Sequence, residues 1–203
     1  MNKKEHLENL ATIKEIMGRS TQFLSLSGLS GILAGIYALL GSFLVYRLIE
    51  NHNSEYITLE SYTFKMILLT ASVVLLLSVF TALLLTFRKA KKSNESIWNP
   101  VSKRLLFNFL IPLVTGGIFI FLLISNRIYG LIGPVTLIFY GLSCVNASKY
   151  THKDILFLGL SQITLGLLST AFPGNSLYFW AFGFGVLHIF YGSIMYFKYD
   201  RQH

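Results

Sequence analysis

Six apolar runs without a single Asp, Glu, Lys or Arg constrain this chain more than any other feature. They cover residues 23–46, 66–87, 105–125, 131–148, 155–172 and 177–197. Each is close to the ~20 helical residues that cross a hydrocarbon core of about 30 Å. In lipid every backbone N–H and C=O must be satisfied within the protein, which leaves helices or closed barrels. Barrel strands alternate apolar and polar residues, and these runs do not. The fold class read from the sequence is therefore all-α: a polytopic six-helix transmembrane bundle over residues 23–203. A short cytoplasmic segment, 1–22, precedes it, and no stretch remains for a soluble domain.

The charges give the bundle a direction. The net charge is +8, with 17 Lys and Arg against 9 Asp and Glu. In a soluble protein this would invite a nucleic-acid reading. Here 14 of the basic residues fall in the segments on one side of the spans and 3 on the other. The positive-inside rule converts that split into cytoplasmic N- and C-termini, which fits a multi-pass protein of a bacterial inner membrane. No nucleic-acid partner is implied; membrane lipid is. The loop 88–104 holds Arg88, Lys89, Lys91, Lys92, Lys103 and Arg104. It reads as a topology determinant and interface anchor, or else as a dock for an acidic partner or anionic lipid.

Within 2–17, Leu7, Leu10, Ile13 and Met17 recur at helical steps beside the i,i+4 pairs Lys4–Glu8 and Glu15–Arg19. An amphipathic N-terminal helix is expected. It could dock under its own bundle, lie in the membrane interface or contact another subunit. Cys144, the only cysteine, lies in the fourth run as a small core residue.

The runs also resemble one another. Ile138-Phe-Tyr-Gly141 in the fourth returns as Ile189-Phe-Tyr-Gly192 in the sixth. Gly28-Leu-Ser-x-Ile-x-x-Gly35 in the first aligns with Gly159-Leu-Ser-x-Ile-x-x-Gly166 in the fifth. Val114-Thr115-x-Gly117 in the third matches Ile163-Thr164-x-Gly166 more weakly. The pattern predicts three tandem hairpins in one orientation. The last two runs, with Gly166, Pro173 and Gly192 in the corresponding places, resemble the short hairpin repeat of HdeD-type bacterial membrane proteins. The resemblance covers about 45 residues, fades over the first, third and fourth runs, and is absent from the second. It implies a role in acid or envelope stress and carries no catalytic motif. The N-terminal helix and the basic loop depart from that pattern.

Small residues and buried polar groups supply the site candidates. Ser27, Gly31 and Gly35 sit four apart, and Gly166, Gly185 and Gly192 mark the later runs; small residues let helix backbones approach closely. The face is expected to pack within the monomer or between copies in a homo-oligomer. His188 shares a helical face with Ala181, Gly185 and Gly192, which points it inward. Gln162, Tyr140 and Thr115 reach similar depths in their own spans, so a midplane polar centre of these four is expected. It would be either a set of interhelical hydrogen bonds or a solute- or proton-responsive site.

Gly28-Leu-Ser30-Gly31 has the form found around the nucleophile of rhomboid proteases. It lies in the first run rather than the fourth, and the small-residue face explains the same letters. His6, His52, His152, His188 and His203 are scattered without ligand spacing, and no cofactor motif is present. The function read from the sequence is a non-enzymatic integral membrane protein of stress-response or accessory type. A small-solute or ion channel or transporter centred on His188 is the second reading. An intramembrane serine protease is a distant third.

Overall fold

The structure is a computed structural model that describes residues 22–51, 61–93 and 96–201. The amphipathic helix expected over 2–17, and His6, His52 and His203, lie outside the described residues. Six helices are long and apolar enough to cross a membrane. They are α1 (Gly28–Glu50), α2 (Tyr62–Lys92), α3 (Pro100–Ser125), α4 (Tyr129–Tyr150), α5 (Asp154–Ala171) and α6 (Ser176–Asp200). No strand occurs among the described residues. The chain is a multi-pass membrane protein built as a six-helix bundle.

Local chemistry sets the helix ends. Before α3, Asn99 Oδ1 accepts from Ser102 N–H at 2.7 Å, and Ser102 Oγ accepts from Asn99 N–H at 3.1 Å. With Pro100 in the first helical position, this reciprocal cap starts the helix. The indole of Trp98 sits 5.7 Å from Lys103 Nζ, an aromatic and basic pair suited to the membrane surface. Lys89, Lys91 and Lys92 close α2, where cations favour the carbonyl end of a helix. The π-wide segments Ala181–Leu187 and Tyr196–Asp200 interrupt the α geometry of α6.

Residues 22–27 correct the sequence reading. The first span was expected from residue 23, but the helix begins at Gly28. The preceding residues run across the end of the bundle as a non-helical strap. Phe23 N–H donates to Tyr150 O at 2.7 Å, and Thr151 Oγ donates to Phe23 O at 2.8 Å. His152 Nε2 donates to Leu24 O at 3.1 Å. Phe23 and Ser25 are buried beneath these contacts. These bonds satisfy the Phe23 N–H and the Phe23 and Leu24 carbonyls without a helix.

Glycines decide which helices come together. A methyl group placed on Gly35 would lie 2.6 Å from Gly185 O and 2.9 Å from Ile189 N. One on Gly192 would lie 2.7 Å from Ile32 N, and one on Gly31 would lie 3.1 Å from the Gly192 Cα. Gly28 meets Tyr196 N, and Gly185 meets the Leu39 side chain. The α1–α6 seam therefore joins backbone to backbone. The α4–α5 seam does the same with Gly166 on Pro134 O and Ile138 N, and Gly159 on Gly141 O and Val145 N. Residue for residue, α1 meets α6 as α5 meets α4. Gly28 and Gly35 hold the places of Gly159 and Gly166. Gly192 and Ile189 hold the places of Gly141 and Ile138. The small-residue face of α1 thus packs within the monomer.

The remaining helices attach from outside. α2 lies along α1, where Gly41 takes the Val74 side chain. α3 lies along α4, where Gly116 takes the Phe139 ring. No comparable seam joins α2 to α3 among the described residues. Gly117, which aligns with Gly35 and Gly166, faces open space with no atom within 4 Å of where its Cβ would be.

Candidate functional site

Three of the four residues expected at the polar centre meet; the fourth does not. Thr115 is exposed on α3 and donates to its own helix at Ile111 O, 2.8 Å away. Its depth suits the centre but its rotation does not. Neighbouring Gly116 faces α4, and successive helix positions turn by ~100°.

His188, Tyr140 and Gln162 converge on the carbonyl of Gly183. His188 Nδ1 lies 3.0 Å from Gly183 O, and Gln162 Nε2 lies 2.8 Å from it. A carbonyl only accepts, so Nδ1 carries the ring proton and Gln162 presents its NH2. Nε2 of the neutral imidazole then accepts from the Tyr140 O–H at 2.8 Å. The 3.4 Å approach of Gln162 Nε2 to His188 Nδ1 is a contact between two donors that share one acceptor. The result is a clamp in which α4, α5 and α6 are tied through one carbonyl.

The carbonyl lies in the π-wide part of α6. His188 directly follows the end of that segment, five residues on from Gly183, the spacing of an i→i+5 turn. The absent side chain of Gly183 matters as well. A methyl group there would lie 2.6 Å from both Gln162 Oε1 and Leu137 Cδ2. Gln162 Oε1 is buried without a hydrogen-bond partner and rests against the Gly183 Cα. Turning the amide over would aim its oxygen at the Gly183 carbonyl, so the orientation is fixed by the stronger need. Sequence reasoning missed Gly183. Its signal was Gly183-x-Gly185, two small residues in a helix opposite the sole glutamine of α5.

The surroundings of the clamp are aromatic. Phe184 stacks on His188 with centroids 5.7 Å apart and a 22° angle. Phe109 meets Tyr140 edge-on at 6.0 Å. No three His, Cys, Asp or Glu side chains converge on a possible metal position among the described residues. Ser30, the serine of the protease-like motif, donates to Ser27 O at 2.6 Å. Both His188 nitrogens are engaged with groups other than Ser30.

A second polar cluster, unforeseen in the sequence, sits at the basic end of the bundle. Asp200 accepts from Lys89 Nζ at 2.6 Å, from Gly28 N–H at 2.9 Å and from Ser27 Oγ–H at 3.2 Å. Lys89 also donates to Leu26 O at 2.9 Å. Ser27 therefore serves as a ligand of Asp200 rather than as a packing residue. A carboxylate from α6 thus covers the positive end of the α1 dipole, while Lys89 ties α2 and the strap to the same point. Beside it, His152 stacks on Tyr199 with centroids 3.8 Å apart, and Tyr199 O–H donates to Asp154 at 2.8 Å. Burial is the chief influence on His152 and pushes its pKa below the usual histidine value. The Leu24 carbonyl opposes that shift, Lys89 reinforces it, and Asp154 and Asp200 oppose it more weakly.

Comparison with protein-family models, with curated proteins and with solved structures finds no match to this chain.

Proposed function

We propose that this chain is a non-enzymatic protein of the bacterial inner membrane, of stress-response or accessory type, built as three tandem hairpins with both termini cytoplasmic. The observation that carries the non-enzymatic reading is the commitment of His188. One nitrogen donates to Gly183 O and the other accepts a hydrogen bond from the Tyr140 O–H. A histidine base works through a nitrogen hydrogen-bonded to a group that reacts, and here that nitrogen faces a phenol packed against Phe109 and Phe184. The hairpin reading draws support from the matching glycine contacts of α1 on α6 and α5 on α4. The orientation draws on the 14-to-3 division of basic residues. A homo-oligomer suits an accessory role, and α3 would supply its contact through the open face at Gly117.

The test of the non-enzymatic reading is His188→Phe, which keeps an aromatic ring and removes both nitrogens. The expected outcome is a less stable protein whose stress phenotype follows its abundance in the membrane. A variant that accumulates at the normal level yet abolishes the phenotype contradicts it.

The second reading, a small-solute or ion channel or transporter centred on His188, is favoured by one observation. Gln162 Oε1 is buried with no hydrogen-bond partner, and such atoms mark places where a ligand or water can bind. Solute flux into vesicles holding the purified protein, abolished by Gln162→Leu, would establish it.

A further inference from the structure

A groove lies between α5 and α6. It has a volume of about 380 Å³ and is lined by Phe157, Leu160, Ser161 and Thr164 from α5 and by Leu187 and Tyr191 from α6, among others. Phe157 and Leu160 are about half exposed, at 55% and 48%. The groove is mainly apolar and runs along the helices from near the basic end toward the bilayer centre. In α5 the lining face, 157–160–161–164, continues one turn earlier to Lys153 and Asp154. In α6 the face of Leu187 and Tyr191 continues two turns later to Lys198. The structure brings these continuations together: Lys198 Nζ lies 3.3 Å from Asp154 Oδ2 at the mouth.

The charges at the mouth are unequal. Lys153, Lys198 and Arg201 are all exposed, and Asp154 is mostly covered. Asp154 already accepts the shorter bond from Tyr199 O–H at 2.8 Å. Lys198 makes a long bond to it and has further N–H donors to offer. An apolar groove that ends in a net positive mouth at the membrane surface matches an amphiphile with an apolar tail and an anionic head. We propose that this groove holds one acyl chain of an anionic phospholipid from the leaflet on the basic side. Lys198 and Lys153 hold its phosphate, and the Ser161 and Tyr191 hydroxyls flank the chain.

The site makes a lipid selection that bulk solvation of the bundle does not. In bulk lipid, head groups exchange freely, and a lysine near the surface contributes only a general attraction to anionic leaflets. A seated chain keeps the phosphate within reach of fixed ammonium groups. Preference for the anionic head group should therefore fall about fivefold for each lysine removed.

The full-length protein is reconstituted into vesicles of phosphatidylcholine with a minor share of phosphatidylglycerol, gently extracted, and weighed intact by native mass spectrometry. The expected result is one retained phosphatidylglycerol per chain. Leu160→Trp, which fills the groove, should reduce retention to background. The pair Lys153→Gln and Lys198→Gln should leave a lipid bound but erase the preference for phosphatidylglycerol. Should Leu160→Trp fail to fold, Thr164→Phe fills the same groove from an exposed position. Equal retention of both lipids by the unaltered protein overturns the proposal. So does retention of phosphatidylglycerol by a folded, groove-filled variant. Cross-linking of a second copy, or of residues 1–21 of the chain, in a lipid-free species to a photoreactive side chain placed at position 160 overturns it as well.

Discussion

The α1–α6 seam and the open side between α2 and α3 share a sequence pattern and differ in everything the pattern was expected to produce. In the seam, Gly35 lets α1 come so close that even a methyl group would meet a carbonyl oxygen at 2.6 Å. On the open side, the aligned Gly117 meets nothing. A glycine in a membrane helix permits close approach but supplies no partner. The partner must carry its own small residues at matching heights. α6 does so with Gly185 and Gly192, whereas α2 has no glycine at all. The molecule is thus a core of α1, α4, α5 and α6, with α2 and α3 laid against it.

The strongest challenge to that division is Gly35→Leu. Its side chain has no room between α1 and α6, so the expected loss is at least about 3 kcal/mol. Thermal unfolding in mild detergent, or failure to accumulate as a monodisperse species, reads it. A normal midpoint would mean that α1 and α6 do not pack this way.

Next in size is the ionic knot that holds α2 to the core. Asp200→Asn leaves Lys89, whose side chain is only 16% exposed, without its charge partner, at an expected cost of about 2–3 kcal/mol. The double variant with Lys89→Met should recover part of that loss. Additive losses in the double-mutant cycle would show that the two side chains do not interact.

Tyr140→Phe removes the proton that His188 Nε2 accepts while keeping the ring against Phe109. The expected destabilisation is about 1–2 kcal/mol, with the oligomeric state and lipid content unchanged. No change at all would place Tyr140 outside the clamp.

The strap gives a smaller, pH-dependent effect. Because burial depresses the His152 pKa, the unfolded chain takes up the proton first as pH falls. The neutral imidazole's contribution is complete above the ordinary value of ~6.5. It is lost progressively as pH drops from there through the lower folded value. His152→Phe, which keeps a ring over Tyr199, should flatten that part of the pH profile of the thermal midpoint. An identical profile in both proteins would exclude His152 as its source.

How much of this could be read from the residues follows from what each feature depends on. The six spans needed only continuous apolarity and length, and the observed helices contain or closely overlap all six. His188 was placed by depth and by its face of small residues, Gln162 by depth in the neighbouring span, and Tyr140, in span four, by depth alone. Thr115 failed on rotation about α3, which depth does not report. Phe23, Leu24 and Leu26 were counted as helix because apolar letters do not distinguish a helix from a covered strap. Lys89 and Asp200 are 111 positions apart, and nothing local to either announces the pair. The π-wide turn that contains Gly183 has no local code beyond the glycines Gly183 and Gly185.

The central claim is that identical small residues count only where another helix meets them. It is tested most directly by measuring thermal unfolding of Gly35→Ala and Gly117→Ala side by side in the same detergent. Gly35→Ala is expected to lose about 1–3 kcal/mol because a backbone carbonyl must move. Gly117→Ala is expected to be neutral, or more stable by up to ~1 kcal/mol, because alanine favours the helix and the space is open. Equal destabilisation by the two substitutions, or a loss confined to Gly117→Ala, would contradict the division of the bundle into core and periphery.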